Sequence, residues 1–389
     1  MKLSSGLTLA YCTNIHRGEG WSETFAGLKN HALRVRDRVA KGGPFVLGLR
    51  LSNQALIELR EPDALKAFRV WLEKENCLVA GINGFPFGSF HGVAVKEKVF
   101  SPDWCEPARL EYTKGLFDLL AEIGTVDRVG TVSTLPGSFK SFNRDADAQK
   151  VMRKNILDCA AHLAKLRDRT GVSMRLALEP EPMGLVENTA ETIQLFDQLR
   201  KEASNTSHVD EFLGVCYDTC HFALQYEQPA AAMKRLNDNG ASVVKMHLSS
   251  ALRLKPTTRA LQRLAAMQEP VYLHQCLGMR KDGALERYKD IPDALASQSV
   301  QSLEEMRVHF HVPLNAENLG DDLSTTADHL IGALDVVART PGLVRELEIE
   351  TYTWEVLPGA MRSPDVVEQI IGEYDWTLSA LSQRGAVSL

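Results

Sequence analysis

The chain has 389 residues, 44% of them hydrophobic and 24% charged, and a formal net charge of −6. These values allow a large apolar core and exclude a disordered chain, while the acidic balance argues against a nucleic-acid partner, which calls for a basic footprint. Seven cysteines, an odd number without a C-x-x-C pair, argue against a disulfide framework or a cysteine zinc site.

The start, MKLSSGLTLAYCTN, lacks the apolar stretch of a secretory leader, and no run reaches the ~18 apolar residues of a membrane span. With free thiols, this sets the expectation of a cytoplasmic protein without membrane insertion. The basic run LRVRDRVAK, residues 33–41, is expected as the solvated face of a helix.

Short β-branched and apolar runs alternate with longer amphipathic ones, the pattern of βα units with parallel strands. In chain order, strands are expected at LTLAYCTN (7–14), FVLGLRLS (45–52), CLVAGING (77–84), VDRVGTVS (126–133), MRLALEPE (174–181), FLGVCYD (212–218), VVKMHLS (243–249) and ELEIETY (346–352). Helical patterns such as DALKAFRVWLEKEN and TAETIQLFDQLRKEA lie between them. This predicts an α/β chain folded as a (β/α)8 TIM barrel, a single domain over 1–389. Two further strand-like runs, PVYLHQC (270–276) and MRVHFHVPL (306–314), are assigned to an insertion between strands 7 and 8, spanning 254–314.

In such barrels chemistry collects where the strands end, because that face is open while the interior is packed with side chains. The fifth strand ends in Glu179 and Glu181, the sixth in Asp218 followed by His221, the seventh in His247 and the eighth in Glu348 and Glu350. Earlier strands contribute Asn14, His16, Asn83 and His91. Alternation along a strand turns Glu179 and Glu181 inward together, and likewise Lys245 with His247 and Glu348 with Glu350. Carboxylates gathered at one barrel mouth repel and resist desolvation unless a cation sits among them. Such acids with a histidine suit Mn²⁺, Mg²⁺, Co²⁺ or Zn²⁺. For any one of them a plain role stays open: Asp218 as a helix N-cap, His247 as a satisfied core histidine. His274, His309 and His311 lie in the extra strands, the last two on one face; His274 and His311 are assigned as substrate contacts, with plain structure and a metal-ligand role as the alternatives.

The stretches YCTNIHRGEGW, GLRLS, NGFPFGSFHG, SPDW, STLPGSF, LALEPEP, CYDTCH, KMHLSSAL and EIETYTWEVLP resemble the xylose-isomerase-like barrel superfamily of sugar isomerases, ketose 3-epimerases and AP endonucleases. More closely they resemble the EboE proteins of ebo metabolite-traffic clusters. The resemblance implies one divalent ion (Mn, Mg, Co or Zn) held by Glu179, Asp218, His247 and Glu350. It also implies substrate contact by Arg253, and for His221 either substrate contact or a place beside the metal. Glu181 stands where xylose isomerases carry a lysine in EPKP, which argues against a hydride shift of that type. An endonuclease of the three-metal kind needs a histidine where this chain reads Leu135-Pro136-Gly137-Ser138, so phosphodiester cleavage is a second alternative only.

The activity expected on this basis is isomerisation or epimerisation of a sugar or cyclitol-like polyol in an ebo-type metabolite pathway, with Glu179 and Glu350 as catalytic acid–base groups. Asn14, His16, Trp21, Glu181 and His91 are the further expected substrate contacts. A non-catalytic metabolite carrier is the competing class, because a barrel can hold a polar ligand without converting it. A small-molecule polyol is the expected partner, with a homo-oligomer open.

Overall fold

The computed structural model describes the chain except Ser5, Val93, Asp321, Ala360, Met361 and residues 387–389. Seven strands, β1 (Thr8–Cys12), β2 (Phe45–Arg50), β3 (Cys77–Asn83), β4 (Val129–Thr134), β5 (Ser173–Leu178), β6 (Leu213–Asp218) and β7 (Val243–Leu248), alternate with helices. Six short strands follow: β8 (Leu252–Leu254), β9 (Cys276–Met279), β10 (Leu285–Tyr288), β11 (Glu305–Val308), β12 (Asn318–Gly320) and β13 (Leu323–Thr325). β14 (Glu346–Ile349) comes last.

The first seven strands and β14 close into a parallel barrel, ordered β1-β14-β7-β6-β5-β4-β3-β2. All eight expected strands are therefore barrel strands. Leu176 and Leu178 of β5 pack outward into the apolar layer with Phe196 and Leu199 of the helix Thr189–Glu202. That helix begins where the Asn188 side chain accepts from the Glu191 N–H, one of the amide donors its first turn leaves unpaired. The longest helix, Ala146–Thr170, starts on an Asp145 cap and stops at Gly171, whose φ of 68° suits a residue without a Cβ.

The six short strands form a second, antiparallel sheet ordered β10-β9-β11-β8-β13-β12. It has its own apolar cluster, including Leu252, Leu254, Leu264, Met306, Val308 and Phe310. Its strands run from Leu252 to Thr325, beyond the 254–314 expected from sequence. Residues 270–275 are not a strand: the paired run begins at Cys276, and only residues 306–308 of the second expected run are paired, as part of β11. None of the seven cysteines is in a disulfide. Among the described residues no helix is long and apolar enough to cross a membrane.

Candidate metal centre

The barrel interior is built around the inward side chains of β14. Glu346, Glu348 and Glu350 alternate along the strand and all are buried. Glu346 accepts from Thr131 Oγ1 at 2.6 Å; Glu348 Oε2 lies 2.7 Å from Lys245 Nζ, which is 3.5 Å from Glu346 Oε1. Space for Glu348 comes from Gly48 on β2, where a Cβ would stand 2.3 Å from the carboxyl carbon. Lys245 therefore pairs with Glu348, which, against burial, it holds below the usual carboxylate range, while burial raises Glu346; Glu350, at the strand's C-terminal end, is left to a different set of partners.

Glu350 Oε1 accepts from Asn14 Nδ2 at 2.7 Å and from Asn83 Nδ2 at 2.8 Å. Its other oxygen, Oε2, is 3.0 Å from His247 Nδ1. Glu179 Oε1 lies 2.9 Å from the same nitrogen and Asp218 Oδ2 3.8 Å from it. Sheet register brings these groups level, since His247 pairs with Asp218 on β6 and with Glu348 on β14. Glu179 is held just past β5 by its N–H to Thr134 O.

Asp218 caps the short helix Thr219–Leu224, as one sequence reading allowed, but with one oxygen only. Oδ1 accepts from the N–H groups of Cys220 and His221 and from Ser249 Oγ. Oδ2 is buried with no hydrogen-bond partner. A buried carboxylate oxygen left bare is costly unless a cation meets it. One oxygen or nitrogen each from Glu179, Asp218, His247 and Glu350 all lie within 4.8 Å of one another. Three acids with one imidazole are a donor set that fits a divalent ion of the Mn²⁺, Mg²⁺, Co²⁺ or Zn²⁺ kind. The electrostatics agree: burial, with neighbouring Glu179 and Asp218 adding to it against the pull of His247, pushes the Glu350 carboxyl up to about 8. A cation relieves that penalty.

Of the paired acids, Glu181 and Glu348 stand outside this set. Glu181 Oε2 is 3.4 Å from His221 Nε2, and Oε1 accepts from Gln275 Nε2 at 3.3 Å. Its burial raises it to about 7. His221 donates from Nδ1 to Pro180 O; burial opposes its charge, but Asp218, Glu181 and Glu179 outweigh it and carry the imidazole to about 9. His311 donates from Nδ1 to Glu350 O at 2.9 Å, and its Nε2 is 4.0 Å from Asp218 Oδ2. Asn14, Glu181, His221 and His311 are thus brought to the centre.

His91 and His274 support it from behind. His91 donates to Asn14 O at 2.6 Å and accepts from Tyr272 at 2.5 Å. His274 uses Nδ1 on His309 O and Nε2 on Glu269, so neither nitrogen faces the acids. Three expected contacts are corrected. Trp21 stacks on Phe25 at 5.1 Å and meets Phe68 edge-on, a packing role in the helical layer. His16 contacts Tyr11 and stacks on His31 at 4.5 Å, beside Arg50 rather than the acids. Arg253 lies on β8, pairs with Asp328 at 2.9 Å and lines a surface groove with Glu317 and Asp322. The chain turns into the second sheet after β7, so spacing from His247 does not carry Arg253 into the barrel. A separate cavity of about 550 Å³, at the opposite end of the barrel, is lined by Thr8, Thr131, Arg175 and Arg345 and holds none of the expected site residues.

Residues not assigned from sequence complete the centre. Asn83, His309, Gln275 and Ser249 all hydrogen-bond a group in it. Asn83 was visible as a polar strand end, and His309 as the alternate partner of His311 in HFH; Gln275 and Ser249 carried no signal. An aromatic cap of Phe90, Tyr272 and Tyr352, with ring centroids 5.0 to 5.3 Å apart, closes over the histidines.

Comparison with solved structures shows the same fold. One described as a D-tagatose 3-epimerase-like protein matches with TM-score 0.50 and 10% identity, over 97% of this chain and 100% of that one. L-ribulose 3-epimerase matches with TM-score 0.50 and 10% identity, over 97% and 96% of the two chains. An IolI protein with a bound zinc atom matches with TM-score 0.50 and 12% identity, over 97% and 99%. No curated protein matches the sequence. The family model described as xylose isomerase-like TIM barrel matches residues 52–263, and the chain belongs to that family.

Proposed function

We propose that this chain is a divalent-metal-dependent isomerase or epimerase of a small polyol, a sugar or cyclitol, working by proton transfer through an enediolate. One observation carries the reading: Glu179 and Glu350 approach the same imidazole nitrogen, at 2.9 and 3.0 Å, from strands three apart around the ring. Binding alone does not require two opposed carboxylates.

Glu179, Asp218, His247 and Glu350 would hold the ion. When bound, it supplies positive charge that stabilises the enediolate oxygens. The remaining steps belong to the protein. One of Glu179 and Glu350 takes the proton from the carbon beside the carbonyl, which requires hydrogen-bond reach of that carbon's proton. The other, protonated at the start, gives its own proton from the opposite face, which inverts the centre and leaves the first carboxyl protonated; delivery of a proton to the neighbouring carbon instead gives an aldose–ketose isomerisation. Asn14 and Asn83 hold Glu350 Oε1 and so leave Oε2 to move the proton. The buried position of the acids and the aromatic cap exclude water from the intermediate. The ebo-type metabolite pathway implied by the sequence resemblance belongs to the same proposal, as does the absence of a nucleic-acid substrate. Leu135, at the position where the three-metal endonucleases need a histidine, packs with Phe100, Phe139 and Leu273 and offers no donor.

The test is solvent exchange. Incubated with Mn²⁺ and a panel of sugars and cyclitols in D₂O, the protein is expected to place deuterium on a carbon next to a carbonyl. Chelation, Glu179→Gln and Glu350→Gln should each abolish incorporation. A ligand bound without exchange across the panel would instead make the chain a carrier.

A further inference from the structure

The end of the barrel away from the acid set is open. Thr8, Val129, Ser173, Val243 and Glu346 are the first residues of β1, β4, β5, β7 and β14, and all five line the cavity of about 550 Å³. Barrel interiors are ordinarily filled by layers of bulky branched side chains. Here Ala10, Val46, Ala80 and Val126 form a small apolar cluster, while Ser173, Arg175 and Glu346 bring polar groups to the cavity without filling it. Its volume falls in the ~300–1,000 Å³ range of small-ligand pockets.

Two arginines face this space. Arg175 stands on an inward position of β5, in step with Ala177 and Glu179, as Leu176 and Leu178 turn outward. Arg345 immediately precedes β14. Among the described residues neither guanidinium forms an ion pair. Asp127 also lines the cavity, but its carboxylate is taken by Lys2 at 2.5 Å. Burial disfavours the Arg175 charge; Glu211 offsets this in part, and the like charge of Arg345 adds to the penalty. An arginine stays protonated in a protein, so an anion relieves that penalty where loss of the proton does not.

The inner end of the cavity has the opposite need. Exposure falls from Arg345, exposed, through Arg175, half-buried, to Glu346, buried. Glu346 Oε2 accepts from Thr131, but Oε1 has no hydrogen-bond partner and lies 3.5 Å from Lys245 Nζ. A bare, buried carboxylate oxygen calls for a donor. The arginines call for an acceptor. A molecule with an anionic head and a hydroxyl at its other end meets both.

We propose that this cavity binds a small hydroxylated organic anion, a phosphate ester or a carboxylate, whose charged group is gripped by Arg175 and Arg345 and whose hydroxyl donates to Glu346 Oε1. The guanidinium fork presents paired N–H donors that match both head groups, so the shared oxyanion chemistry is what the site recognises. The site is built from strand starts, apart from the metal centre at the strand ends, and does not depend on the epimerase reading.

The experiment is a ligand titration of the full chain. Glycerol 3-phosphate and glycerate probe the two head groups, each followed by isothermal calorimetry at fixed ionic strength, with glycerol as the uncharged control. At least one of the two anions is expected to saturate a single site, and glycerol to give no heat. Which anion binds distinguishes a phosphate ester from a carboxylate. Arg175→Gln and Arg345→Gln should each weaken that binding about tenfold or more, the worth of one hydrogen bond to a charged group, while Mn²⁺ affinity stays at the wild-type level. No saturation by either anion, or saturation unchanged in both arginine variants, overturns the site and makes the cavity a solvent-filled one. Should Arg175→Gln fail to fold, the exposed Arg345 decides: weakened binding in its variant supports the clamp, and undiminished binding refutes it.

Discussion

Asn14 and Glu350, 336 positions apart in the chain, meet across the seam where β1 pairs with β14, the amide donating to Oε1 at 2.7 Å. This contact, with the matching one from Asn83, fixes which Glu350 oxygen is left for a metal or a proton. Partners that orient a ligand typically account for 10–100-fold in metal affinity or activity. Asn14→Ala is therefore expected to weaken divalent-ion affinity by about 10–100-fold, measured by calorimetric titration, while far-UV circular dichroism stays unchanged. Affinity within twofold of wild type would mean that Glu350 does not depend on this clamp.

The neighbouring acids separate by their partners, which gives a second expectation. Glu179 contacts His247, whereas Glu181 contacts His221 and Gln275. Glu179→Gln should abolish exchange and lower Mn²⁺ affinity. Glu181→Gln should leave Mn²⁺ affinity within a fewfold and change substrate KM more than ion binding. Equal losses of Mn²⁺ affinity in both variants, read by electron paramagnetic resonance, would contradict this division.

Below the centre, Lys245 Nζ and the Glu348 carboxylate form a fully buried pair. Removing one partner of such a pair strands a charge and typically costs about 3–5 kcal/mol, whereas replacing both by apolar groups is often neutral. Lys245→Met is expected to lower stability on that scale, and Lys245→Met/Glu348→Leu to recover most of it, in urea unfolding. Glu346, 3.5 Å from the same ammonium, keeps the recovery incomplete. A double variant no better than the single would show that the pair is not coupled.

The legibility of this protein follows the length of its strands. Each barrel strand adjoins a helix and carries four to seven residues, and its inward positions follow from parity alone, a parity that includes His247 and continues one residue past β5 and β14 to Glu179 and Glu350. The second sheet is built of strands of three and four residues, too short for alternation to show. Arg253 was misplaced because it follows His247 closely in sequence, yet the chain has already left the barrel. Trp21 was ambiguous because an aromatic ring near a strand end serves packing or stacking equally well. His309 was seen to share a face with His311, but its convergence with His221 joins segments 88 residues apart and has no local signature.

Glu373, in the helix Val366–Ser382, is a fully buried acid. Thr351 Oγ1 donates to its Oε2 at 2.8 Å and Gln369 Nε2 to its Oε1 at 3.4 Å. Burial dominates over these hydrogen bonds and raises its carboxyl from 4.5 to about 8. The folded state thus keeps a proton that the unfolded chain releases near 4.5. Stability from this group is complete below that value, falls as pH rises and is gone above about 8, because the folded state binds more protons throughout the window. Glu373→Gln keeps the shape and an acceptor but removes the titration. The variant is expected to match wild type near pH 4 and to exceed it at pH 8 by a few kcal/mol, on the order of what a buried carboxyl shift implies. Denaturant midpoints for both proteins across that range check it. A difference between them that stays constant with pH would show that Glu373 ionises normally in the folded protein.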